Sequence, residues 1–120
     1  FGTMHFMNPE VQAFGAGVTM VYYIGVGLFL GFVTLMDDGL EMALGIHAAT
    51  NIFGALFVTF DESALQTAAL FHTKSVNMDW MLAGFLAAAI IFTFIAAKNY
   101  QWKDWSKWYS KIEKPQSGTV

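Results

Sequence analysis

The 120-residue chain contains no cysteine and no arginine, only two prolines, and few charges of either sign. Without cysteine neither a disulfide nor a thiolate metal site can form, and the redox compartment leaves no trace. Charged residues make up 12% of the chain against 56% hydrophobic ones, a balance far from that of a soluble domain of this length. An integral membrane protein is therefore expected, in which each helix satisfies its own backbone groups and lipid covers the apolar outside. The net charge is −3, and no nucleic-acid partner is expected. Five of the six lysines lie at or after Lys98. No charged segment or cleavage signal precedes an apolar core, and the first residue is Phe1 rather than methionine. The expectation is the C-terminal piece of a longer protein.

What the chain does contain is three long apolar runs. Residues 18–36 carry no charge over 19 positions and form the first expected span. Gly27 and Gly31, with Gly25 nearby, make a small-xxx-small face that would let another helix approach. Asp37-Asp38-Gly39 is a tight polar turn, so the helices on either side should be antiparallel neighbours. Residues 41–60 form the second expected span, with Glu41 suiting the dipole of its first turn. Residues 61–78 are a more polar connection in which 64–71 are expected to make a short surface helix, with His72 on the surface. Residues 79–97 form the third span, anchored at the interface by Trp80. Before all of these, residues 1–7 would finish a helix that Asn8-Pro9 stops, with Gly15 and Gly17 punctuating a loop.

In residues 98–114, Trp102, Trp105, Tyr109 and Ile112 recur at helical spacing beside Lys103, Lys107 and Lys111. Such a stripe suits an amphipathic helix in the headgroup region, drawn to anionic lipid; the plainer alternative is a docking helix. Pro115 ends it. By the positive-inside rule the tail is cytoplasmic, residues 61–78 and residue 18 lie outside, and the Asp37-Asp38-Gly39 turn lies inside.

The chemically telling residues are polar groups inside apolar runs. His47 and Asn51 are four apart, so both occupy one helix face about a turn from each other. A polar group without a partner in lipid costs on the order of several kcal/mol. Such groups usually face a protein interior or a wet cavity, and they raise a functional question. A bare H-x-x-x-N match is more often a histidine bonded to a neighbouring helix. Here a second histidine, His5, stands four residues after Phe1.

The combination of F-x-x-x-H (Phe1 to His5) and, about 40 residues later, H-x-x-x-N (His47 to Asn51), with one span between, resembles the CPBP family. These are the CAAX-processing and bacteriocin-processing intramembrane endopeptidases, also called the Abi family. The stretches FGTMHFMNPEVQ and LGFVTLMDDGLEMALGIHAATNIFGALFVT are similar to bacterial, Bacteroidetes-type members, and the resemblance covers roughly residues 1–97. It implies an enzyme of the bacterial inner membrane that hydrolyses peptide bonds of membrane-associated peptides or proteins. By motif, His5 would orient or activate a water together with a glutamate, while His47 and Asn51 would donate to the oxyanion. Amide hydrolysis independently needs such a base and such donors. The family's Glu-Glu motif and its downstream arginine are absent from this chain. The catalytic glutamate is thus expected upstream of Phe1, and the fragment alone is expected to be inert. Glu10 and Glu41, the carboxylates of that type near the histidines, are read as solvated or capping residues.

The expectation is an all-α polytopic transmembrane helix bundle. It has three full spans, one partial helix before them and an interfacial tail, with residues 1–97 as the protease part and 98–120 as the cytoplasmic tail. No cofactor is required on this reading. The alternative is a transporter or ion-binding protein in which His5, His47 and Asn51, with Asp37 or Asp38, hold a divalent cation such as zinc. A third possibility is a non-catalytic anchor or immunity-type protein whose His47 and Asn51 only join helices. For His5 to meet His47, residues 1–17 must dip into the bundle.

Overall fold

A computed structural model describes residues 2–109, and Phe1 and residues 110–120 lie outside it. The chain runs through a 3-10 helix (Gly2–His5), α1 (Pro9–Phe14), α2 (Ala16–Asp37), α3 (Glu41–Leu56), β1 (Val58–Phe60), β2 (Phe71–Thr73), α4 (Met78–Asn99) and a second 3-10 helix (Trp105–Trp108). It is mostly helical, and two helices, α2 and α4, are long and apolar enough to cross a membrane. Their apolar windows are only 17% and 6% buried within the chain, whereas the core helix of a soluble protein would be mostly covered. Leu28, Ile90 and Phe94 are at least 70% exposed. Those flanks call for lipid or further protein.

The expected second span over residues 41–60 is not one helix. α3 stops at Leu56 after 16 residues, roughly 24 Å, short of a hydrocarbon layer of about 30 Å. The residues beyond it, Phe57-Val58-Thr59-Phe60, are aromatic and β-branched, the types that favour strands. They pair in parallel with Phe71–Thr73, in the register Val58↔Phe71, Thr59↔His72, Phe60↔Thr73.

The helix expected over 64–71 is likewise absent, and side-chain hydrogen bonds hold the segment in an irregular path instead. Gln66 Nε2 donates to the carbonyls of Asp61 (2.9 Å) and Ser63 (2.7 Å), Thr67 Oγ1 to Ala55 O (2.6 Å), and Thr59 Oγ1 to Leu65 O (3.2 Å). The exposed His72 pairs with Asp61 at 2.9 Å, tying the start of the connection to β2.

The tail folds differently from an amphipathic helix. α4 ends at Asn99, Gln101 takes a left-handed φ of 55°, and Trp102 N–H reaches back to Ala97 O at 3.1 Å. That reach-back is the ending of a helix stopped by a left-handed residue. The chain then turns onto the α2–α3 corner. Trp102 is buried, meets Phe32 edge to face, and donates Nε1 to Asp37 Oδ1 at 3.3 Å, while Lys107 pairs with Asp38. As far as Tyr109 the tail is a docked strap; the expected stripe positions Lys111 and Ile112, and Pro115, lie outside the described residues. The core sits at this corner, built from Val33, Met36, Ala43, Ala96 and Trp102. The opposite end of the bundle holds the polar residues.

Candidate functional site

The site is assembled by the amino-terminal segment. Asn8 is extended and Pro9 occupies the first position of α1, where a missing N–H costs nothing. Gly15, at φ 89°, makes the bend between α1 and α2. The segment therefore doubles back along α2, and its 3-10 helix lies so close that a Cβ on Gly2 would stand 2.9 Å from the Ile24 backbone. This is the dip into the bundle that a shared site demands. It sets the His5 ring against Tyr23, stacked at 4.3 Å between centroids, and Asn8 Nδ2 within 3.3 Å of the Tyr23 hydroxyl.

On α3 the i, i+4 spacing closes a direct contact, Asn51 Nδ2 to His47 Nε2 at 3.2 Å. With the amide donating, Nε2 is the acceptor, the imidazole proton sits on Nδ1, and a second amide N–H remains on Asn51. Thr50 turns inward on its own helix, donating to Ile46 O and His47 O.

These groups converge. One cavity of about 320 Å³ is lined by His5, Asn8, Glu10, Tyr23, His47, Thr50 and Asn51, and closed by Phe60, residues 63–65 and the start of α4. The structure thus brings His5, His47 and Asn51 together, although 42 positions separate the two histidines in the chain (47 − 5).

Glu10 is the residue that sequence reasoning missed. Far from solvated, it is 6% exposed, accepts the Ala64 N–H at Oε1 (2.7 Å), and leaves Oε2 buried without a hydrogen-bond partner among the described residues. Its partner is 54 residues away, so no local pattern points to it. Glu41 is exposed in the first turn of α3, as expected of a dipole partner.

Neither Asp37 nor Asp38 joins the two histidines. Asp37 and Asp38 are engaged by Trp102 and Lys107 at the other end of α2. Among the described residues, no three His, Asp or Glu side chains are placed to hold a metal ion. A second, apolar groove of about 1140 Å³ runs along Gly27, Gly31, Leu40 and Leu44 and meets the polar cavity at His47. Gly31 faces open space there, whereas at Gly25 a Cβ would stand 3.4 Å from the Phe85 ring of α4.

The chain is 30% identical over 115 residues to the uncharacterized protein YyaK of Bacillus subtilis (strain 168). The match covers 95% of this chain and 35% of that protein, so the chain spans about a third of its relative's length. No protein-family model matches the chain, and no solved structure matches it.

Proposed function

We propose that the chain is the C-terminal part of a CPBP-type intramembrane endopeptidase, acting on peptide bonds of membrane-associated peptides or proteins. The observation that carries the reading is the convergence of His5, His47 and Asn51 on one cavity. Imidazoles and an amide gathered from separate segments within an apolar helix bundle are costly to keep without a use.

In this mechanism a water lies in the cavity between His5 and the carbonyl of the peptide. His5, oriented by its stack on Tyr23, takes a proton from the water jointly with a glutamate carried upstream of Phe1. As the water oxygen adds to the carbonyl, negative charge grows on the carbonyl oxygen. Asn51 offers it the N–H not engaged with His47, whose contact at 3.2 Å holds the amide in place. One donor so aimed at the developing charge lowers the barrier by about 3 kcal/mol. Collapse of the oxyanion then breaks the C–N bond, and the proton taken from the water passes to the departing amine nitrogen.

The same reading assigns a multi-pass protein of the bacterial inner membrane with three crossings and a cytoplasmic tail. The second crossing is α3 completed by the backbone of residues 57–60. Irregular backbone is tolerated at that depth where it borders a wet cavity, and Phe60 does so. Anionic lipid meets the lysines of the tail.

The test uses the full-length protein in liposomes with a library of membrane peptides. His47→Ala and Asn51→Ala should each abolish cleavage while expression and folding persist. Cleavage at wild-type rates in both variants would remove the assignment.

A further inference from the structure

Glu10 has no task in that mechanism, yet it lies in the same cavity. Its Oε1 accepts the Ala64 N–H, a duty that a glutamine carbonyl would perform without burying an acid. The second oxygen is therefore what needs a reason: Oε2 is buried and, among the described residues, meets no donor in full hydrogen-bond geometry. The Tyr23 phenol faces this carboxyl as a weak, neutral donor, and among the described residues no group reaches Oε2 within full hydrogen-bond geometry. Buried acids are tolerated where a cation or several donors meet them. No lysine lines this cavity, and the chain has no arginine. The cavity does hold His5 and His47 beside Glu10, and its roughly 320 Å³ admits one side chain together with the peptide bond to be cut.

We infer that Glu10 Oε2 is a recognition point for a cationic nitrogen of the bound peptide, carried by a lysine or arginine side chain or by a free amino terminus near the scissile bond. The inference rests on the peptide-hydrolase reading for its ligand and adds a substrate class to it. Peptides with a positive charge near the cut are preferred over neutral isosteres, because only a cation replaces the water that Oε2 gave up. Glu10 acts here as a specificity-determining residue. Its other oxygen holds residues 63–65 over the ligand, so recognition and closure meet in one side chain.

The experiment reads binding, so that it does not depend on turnover. Full-length protein carrying His47→Ala is placed in nanodiscs of phosphatidylcholine alone, which avoids drawing cations to an anionic surface. Three apolar peptides of one sequence are compared: acetylated with a lysine, acetylated with norleucine in its place, and norleucine with a free amino terminus. The lysine peptide, the free-terminus peptide or both should bind at least about tenfold more tightly than the acetylated norleucine peptide, and which of them does so identifies the source of the nitrogen. In Glu10→Gln, which keeps an acceptor for Ala64, that preference should fall to near unity at unchanged thermal stability. Equal affinities for all three peptides, or a preference that survives Glu10→Gln, would overturn the inference. Should Glu10→Gln fail to fold, the three-peptide comparison in the Glu10 protein and a retained but reduced preference in Glu10→Asp decide the matter. A Glu10-dependent preference without any cleavage by the His47 protein would support the cation subsite and refute the hydrolase alone.

Discussion

Replacing Asn51 separates a donor from a scaffold. The side chain is exposed on α3 and, among the described residues, makes one hydrogen bond, to His47 Nε2 at 3.2 Å. Losing an exposed hydrogen bond of this kind costs folding about 1 kcal/mol at most. Losing a donor aimed at a developing oxyanion costs about 3 kcal/mol of barrier, or roughly two orders of magnitude in rate. Asn51→Ala should therefore reduce kcat at least about a hundredfold, with a stability change too small to explain it. Asn51→Asp discriminates further. Its carboxylate can still engage His47, now as the acceptor from Nε2–H, so the ring stays oriented, but it has no N–H to give and places a negative charge beside the oxyanion. It should fall at least as far as alanine. The assay is cleavage of a membrane peptide by the full-length protein in liposomes, followed by mass spectrometry, with unfolding measured in parallel. An aspartate variant retaining most of the rate would refute the donor role and leave Asn51 as a positioning residue for His47.

Other outcomes follow from the packing. Gly2→Val should push the 3-10 helix off α2, since even a Cβ there would stand 2.9 Å from Ile24 backbone atoms; the strain of about 1–3 kcal/mol should appear as lost cleavage with the secondary structure by circular dichroism unchanged, and full activity would contradict the close approach. Trp102→Ala should lower stability by about 3 kcal/mol or more, measured by denaturant unfolding in detergent, because it empties a core position and orphans Asp37 Oδ1; an unchanged midpoint would contradict the docked strap. The side chain and N–H of Ser106 hold the Asp104 carboxyl below its ordinary pKa. A depressed acid contributes its capping fully above the unfolded value and loses it as pH falls through the folded one. The Ser106 amide should thus exchange faster relative to its neighbours below the usual carboxylate range, a step that Asp104→Asn removes; its persistence in that variant would contradict the cap.

Local patterns carried a good part of this molecule. The uncharged run after Gly17, the Asp37-Asp38-Gly39 turn and the run after Asp79 emerge as α2, a corner and α4 within two residues of their expected limits. The i, i+4 relation of His47 and Asn51 emerges as a direct contact, because both partners sit on one rigid helix. What failed was set by partners far away in the chain. Glu10 is buried by Ala64, 54 residues on, and Trp102 is drawn out of a helical stripe by Asp37, 65 residues back. Val58–Phe60 leaves the helix because Phe71–Thr73 is there to pair with it. Hydropathy counts apolar length and sees none of these.

The central claim is that two imidazoles from distant segments face one cavity. Cysteine pairs in an otherwise cysteine-free full-length protein test it in native membranes with a short bifunctional thiol reagent. His5→Cys with Tyr23→Cys, which replaces rings stacked at 4.3 Å, serves as the positive control, and His5→Cys with His72→Cys as the negative one. An intramolecular link between cysteines at positions 5 and 47, found by mass spectrometry, is the predicted result. A link in the positive control but none between positions 5 and 47 would contradict the account.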